Sequence, residues 1–348
     1  MLGGGIFVTQ NKTLPGSYIN FVNARNVSST IGERGVVAIV LPLGKVPGEV
    51  IELTKVQFYE EAETLLGVKS TDESVVALRE IFVHANKCYI YDIGGGETEL
   101  TVAAALNALE PYEFNIVCAY TAEEADITTY ITKVITWRDE LGKKCQVVVY
   151  NAAMDGNDHE GVINVVSTVS EGDAHALVAW VAGAEAACSI NKSCTNQIYD
   201  GELIVVADKT QAELEECIEN GQIAFHKVYG DIRLLEDVNS LVNTTEDKGE
   251  DFKSNQTIRV IDQIANDIAK LFHTKYMGNI PNNASGRVSL WGDIVAHHRE
   301  LEKVQAIENF DANLVTVEQG ANKKSVVVND VVTVVNCMSQ LYMTVVVQ

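Results

Sequence analysis

A chain of 348 residues, 47% hydrophobic and 21% charged, has room for two or three domains, each with its own core. Its 48 acidic against 26 basic residues leave a formal net charge of -22, which sets aside a protein that holds nucleic acid or anionic lipid through its overall field. No run reaches the roughly 18 apolar residues of a membrane span, and "MLGGGIFV" lacks the basic start and apolar core of a signal peptide, so no membrane insertion and a cytoplasmic origin are expected.

Residues 1–30 read as an N-terminal arm. After Pro15-Gly16 a short strand carries Ile19 and Phe21 opposite Tyr18 and Val22, isolated on both sides by Asn, Ser and Thr. Residues 31–87 form an α+β segment that opens with a strand over "GVVAIVLPL". Thr54 and Gln57 stand at capping-box spacing before a helix that Gly67 is placed to end, and a second capped helix spans about Thr71 to His84.

From 88 to 200 the strands "CYIYDI", "FNIVCAY", "CQVVVYN" and "VINVVST" alternate with helical stretches such as Ala122–Leu141, and a helix from Gly172 to Cys188 follows. Alternation of this kind predicts a mostly parallel sheet covered by helices on its faces. Residues 201–338 predict a C-terminal domain of mixed α+β character. It opens with a strand "ELIVVAD" and a helix started by Thr210 and Glu213 and closed by Gly221, then "QIAFHKVYGDIRLL". Two long helices, about Thr257–Tyr276 and Ser285–Ile307, precede several Val-rich strands. In the first, Val260, Ile264, Ile268 and Leu271 form an apolar stripe, leaving Arg259, Asp262 and Asp267 on a polar face available to a partner.

Residues 339–348 close the sequence as a strand arm. Leu341, Met343, Val345 and Val347 fall on one face and Tyr342, Thr344 and Val346 on the other, so this stretch calls for a β partner that the pattern does not itself supply.

Seven cysteines without CxxC spacing sit mostly inside apolar patterns and read as small buried hydrophobes of a reducing compartment. The histidines do not gather at metal-ligand spacing, and the adjacent His297 and His298 read as a solvated helix surface. The sharpest local signal is "YIYDIGGGETEL", where a strand ends in Asp92 and runs into Gly94, Gly95 and Gly96. Glycines there would let a backbone approach phosphate, as in actin-like ATPases, but Glu97 and Glu99 put carboxylates where phosphates would sit. Neither GxGxxG nor GxxxxGK[ST] is present, so the residues favour a tight turn after a buried strand, with a phosphate-binding enzyme as the rival. "AAMDGNDHEG" clusters Asp155, Asn157, Asp158 and Glu160 without the register of a calcium loop. No catalytic, cofactor-binding or metal-ligating residue is assigned, and no enzyme activity or cofactor is expected.

"LPGSYINF", "GVVAIVLPLGKVPGEVIELTKVQFYE", "NGQIAFHKVYGDIRLLEDVNSLVN" and "IRVIDQIANDIAKLFHTKYMGNIPNNASGR" together resemble the sheath proteins of contractile phage tails and related injection particles. The resemblance implies a structural subunit of a virion tail or tail-like particle, assembled in a bacterial cytoplasm into a homo-oligomer of hexameric rings stacked helically. The implied partners are an inner tail tube, a baseplate and a tail terminator. It further implies that both ends are exchanged between neighbouring subunits by strand addition, through Tyr18, Ile19, Phe21 and Val22 and through Leu341, Tyr342, Met343, Val345 and Val347.

Overall fold

A computed structural model describes residues 31–94, 100–153 and 157–347. The N-terminal arm, the glycine run after Gly94 and Asp155 lie outside them.

The elements in chain order are β1 (Val36–Leu41), β2 (Val50–Thr54), α1 (Lys55–Leu66), α2 (Val76–His84), β3 (Lys87–Asp92), α3 (Val102–Leu109), β4 (Ile116–Cys118), α4 (Glu124–Asp139), β5 (Gln146–Tyr150), β6 (Val162–Val165) and α5 (Ala176–Ala187). There follow α6 (Gln211–Glu219), β7 (Gln222–Ile223), β8 (Phe225–Val228), β9 (Asp231–Leu234), α7 (Asn255–Leu271), α8 (Ala284–Lys303), β10 (Ile307–Glu308), β11 (Thr316–Gln319), β12 (Val326–Asn329) and β13 (Thr333–Val334).

One seven-stranded sheet in the order β2-β3-β1-β4-β5-β6-β7 forms the body, parallel except for the edge strand β2. Its strands come from three of the segments divided above. β1, drawn from 31–87, lies between β3 and β4, and β7, drawn from beyond residue 200, pairs with β6. The apolar runs of β1, β3, β4, β5 and β6 are buried nearly throughout, because helices cover both faces. Phe58 of α1, Phe82 of α2 and Trp180 of α5 belong to the core on one face, and Leu106 of α3, Tyr130 and Trp137 of α4 to the core on the other. α2 and α5 approach so closely that a Cβ at Gly183 would lie 2.5 Å from the Ile81 carbonyl oxygen.

Local chemistry sets the helix ends. Thr54 and Gln57 cap α1 reciprocally and Gly67 closes it at φ 75°, while Thr210 and Glu213 do the same for the start of α6. Elsewhere the expected boundaries shift. The helix expected from Thr71 begins as a 3-10 turn at Glu73 and becomes α-helical at Val76. "ELIVVAD" forms no strand; its only ladder contact is the bridge from Val205 to Val169, since β7 and not this stretch takes the sheet edge. Cys88, Cys118, Cys145, Cys194 and Cys217 are buried, Cys188 is part-buried and Cys337 exposed, and all are free thiols. No helix among the described residues is long and apolar enough to cross a membrane.

Candidate assembly interface

The C-terminal unit is docked on the sheet domain through the face of α7 that its sequence pattern offers to a partner. That expectation is corrected: the partner is the chain itself. Arg259 donates through Nη2 to Glu185 Oε2 of α5 at 2.6 Å and to Asp237 Oδ2 at 3.2 Å, and through Nη1 to the Lys192 carbonyl at 2.7 Å. Arg138 of α4 grips Asp262 with both nitrogens, at 2.5 and 2.9 Å. All four of Arg259, Arg138, Glu185 and Asp262 are buried, so these charge-assisted contacts are shielded from screening.

Burial and the neighbouring Asp237 push the Glu185 carboxyl well above the usual range; for Asp237, burial pulls the same way but Arg259 and the hydrogen bond with Glu185 outweigh it and lower its pKa. The two carboxyls are thus pushed in opposite directions, Glu185 towards its neutral form and Asp237 towards its charged one. Glu185 Oε1 and Asp237 Oδ1 are buried oxygens that no donor reaches among the described residues. Glu185, Cys194 and Asp237, like Asp139, His159 and Glu160, converge closely enough to be considered for a metal. In both groups cationic side chains already take the carboxylates: Arg259 in the first, and in the second Lys248, at 2.9 Å from both Glu160 oxygens, with Arg138 close by.

His297 and His298 are also not a solvated surface. Both are buried, His297 Nε2 lying 2.9 Å from Asp267 Oδ2 and His298 Nε2 2.6 Å from Asp330 Oδ2. Their partners stand 30 and 32 positions away, a separation that carries no sequence signal.

Of the "DIGGGE" stretch, Asp92, Ile93 and Gly94 are described, and Asp92 is tied to the backbone around it. The buried Asp92 carboxylate accepts the backbone N–H groups of Leu43 at 3.1 Å, Gly44 at 2.8 Å, Val46 at 2.8 Å and Gly94 at 2.9 Å. A protein carboxylate thus takes up these four N–H groups, which a bound anion would otherwise use. Burial opposes the charge on Asp92, but these bonds prevail and lower its pKa. In the acidic loop, Asp158 receives the Val242 N–H at 2.6 Å and the Asn243 side chain at 2.6 Å, so it pins a neighbouring loop.

Towards the end of the chain the packing thins. β11 and β12 make a two-stranded antiparallel hairpin against α8, where the Trp291 indole donates to the Val315 carbonyl at 3.0 Å. Both outer edges of this hairpin are unpaired among the described residues. At its turn, Lys323 and Lys324 join Arg287 around a groove of about 440 Å3 floored by Phe272, Tyr276, Leu290 and Val326. β13 pairs with β10, and the next residues are tied to α7: the Gln256 side chain bonds the Val335 carbonyl at 3.1 Å and the Cys337 N–H at 2.9 Å.

Beyond Cys337 the tethers to the rest of the described residues cease. Leu341, Tyr342, Met343, Val345, Val346 and Val347 are each at least 70% exposed, with no strand partner among the described residues. The C-terminal site residues of the sequence reading are therefore brought together as one uncovered apolar ribbon; Tyr18, Ile19, Phe21 and Val22 lie outside the described residues.

A helix-covered, mostly parallel sheet bearing a hairpin unit and, among the described residues, an uncovered apolar ribbon defines a mixed α/β protein. Residues 95–240 match the phage tail sheath protein central domain and residues 247–348 the phage tail sheath C-terminal domain. The chain belongs to the phage tail sheath family. The tail sheath protein of Clostridium phage phiCD119 is 28% identical over 215 residues, covering 60% of this chain and 59% of that protein. The crystal structure of the sheath tail protein from Desulfitobacterium hafniense aligns with a TM-score of 0.75 at 23% identity, covering 92% of this chain and 100% of that one. The anti-feeding prophage helical sheath in its contracted state aligns at 0.72 and 16% identity, over 96% of this chain and 99% of that one. This chain spans 54% to 59% of the length of the curated relatives it matches.

Proposed function

We propose that this protein is a tail sheath subunit that polymerises around an inner tube and contracts to drive the tube through a cell envelope, as a structural protein and not an enzyme. The uncovered ribbon Leu341–Val347 carries this reading. Buried on one face, its four apolar side chains would contribute about 6 to 12 kcal/mol, while ordering its seven residues costs about 7 to 14 kcal/mol. A single ribbon is marginal; many around a ring become effectively intramolecular and hold.

The ribbon adds as a strand to an open edge of the β11–β12 hairpin in a neighbouring copy, and the arm containing Tyr18, Ile19, Phe21 and Val22 is exchanged in the same manner. Tube, baseplate and tail terminator are the further partners, and the setting is a phage tail or a tail-like particle. No nucleotide is required, because the work comes from a metastable lattice set at assembly.

Deleting residues 341–348 tests the reading. Negative-stain microscopy should show rings or tubes for the full chain and none for the truncated chain, with the truncated subunit still folded by circular dichroism. Tubes formed by the truncated chain would exclude the ribbon as the joint.

A further inference from the structure

His297 and His298 sit between the roots of both terminal segments. Asp267, the partner of His297, receives the Gly32 N–H on its two oxygens at 3.2 and 3.0 Å, directly after residues 1–30. A Cβ at Gly32 would lie 2.6 Å from Asp267 Oδ1, so glycine is what admits the carboxylate. Asp330, the partner of His298, lies between β12 and β13, on the path from the hairpin to the C-terminal ribbon. The two rings meet each other, Nδ1 to Nδ1, at 3.4 Å.

The proton count follows from the acceptors. Each Nε2 faces a carboxylate and so carries hydrogen; two neutral rings of that tautomer would oppose two bare Nδ1 lone pairs, so a bond between them needs one further proton. Facing the pair are Asp267 from α7, Asp330 from the β12–β13 connection and the Phe310 ring, 5.1 Å from His298, and Gln263 donates to Asp267 Oδ1 at 2.9 Å. Arg34 stands behind Gln263, 3.3 Å from its side-chain oxygen.

We propose that His297 and His298 hold a single extra proton between their Nδ1 atoms and that this shared charge couples the anchor of the N-terminal segment at Gly32 to the anchor of the C-terminal segment at Asp330. The chain Gly32–Asp267–His297–His298–Asp330 then works as one unit. Releasing either carboxylate removes an acceptor that stabilises the shared cation and loosens the other end. The coupling belongs to the single subunit and does not depend on what the subunit assembles into.

Selective 15N labelling of histidine in the unassembled full-length subunit reads the proton directly. Of these two residues, one ring should show both nitrogens protonated and the other the neutral Nε2–H form, at the pH used for assembly. Two neutral rings, or two imidazolium rings, would overturn the assignment. Asp330→Asn tests the coupling: the Asp330 side chain is 25% exposed, which leaves room for the amide. It should abolish the imidazolium signal and speed amide exchange at residues 31–36 several-fold. Unchanged exchange there would overturn the coupling even with the proton assignment intact. If that variant fails to fold, Gly32→Ala, which displaces Asp267 from the other end, must alter the His298 signals; unaltered signals overturn the proposal.

Discussion

Arg259 of α7 reaches into the sheet domain and donates to Glu185 of α5 at 2.6 Å, with both side chains buried. This single contact does much to decide how the C-terminal unit sits on the sheet. Replacing Arg259 with Met leaves Asp237 as an uncompensated buried charge and should cost about 3 to 5 kcal/mol. Urea unfolding measures it. A loss below about 1 kcal/mol would mean that water reaches the cluster and that α7 is held by its apolar stripe alone.

Glu80 supplies a pH dependence of defined sign. The carboxyl is buried and accepts Tyr199 Oη–H at 2.8 Å and the Glu202 N–H at 2.7 Å, yet burial prevails and pushes its pKa up to about 7. The folded state thus binds this proton more tightly than the unfolded chain. Its contribution is fully present below the unfolded value of 4.5 and is lost as pH rises towards about 7, a change on the order of 3 kcal/mol. Unfolding free energies at pH 5 and pH 8 should converge in Glu80→Gln relative to the parent.

Asp92 works in the opposite direction. Its lowered pKa means that its contribution is present above the usual carboxylate value and disappears as pH falls through the folded one. Asp92→Ala strips the acceptor from four backbone N–H groups at once, for a loss of about 2 to 4 kcal/mol if water reaches some of them. Isothermal titration with a nucleoside triphosphate should give no binding heat in the parent protein. Saturable binding in the parent protein would revive the phosphate-site reading.

Assembly should strengthen with salt. Subunits of net charge -22 repel over roughly 10 Å at 0.1 M ionic strength, and the Arg287, Lys323 and Lys324 cluster offers one local basic patch against that field. Light scattering across a salt series should show polymerisation weakest at the lowest ionic strength. The double variant Lys323→Glu, Lys324→Glu should shift the onset to higher salt. An onset indifferent to both would remove charge repulsion as the controlling term.

The sequence by itself determined what is local or periodic. Capping boxes at Thr54 and Thr210 and the stop at Gly67 act within a few residues, so they are legible in a line of letters. The buried runs of β1, β3, β4, β5 and β6 announce a covered parallel sheet because no polar face interrupts them. Alternation in Leu341–Val347 announces a strand in need of a partner, and the ribbon stands uncovered.

Only the tertiary structure decided the partners of the charged residues. Periodicity shows that Arg259, Asp262 and Asp267 leave the apolar stripe of α7, but a charged face looks the same whether it meets water or a buried opposite charge. Glu185 lies 74 positions from Arg259, Arg138 124 from Asp262, and Gly32 235 from Asp267. The same holds for His297 and His298, each buried and met by a remote aspartate. An ion pair is a relation between two points in space, and nothing in the order of residues records it until the sheet and α7 have been brought together.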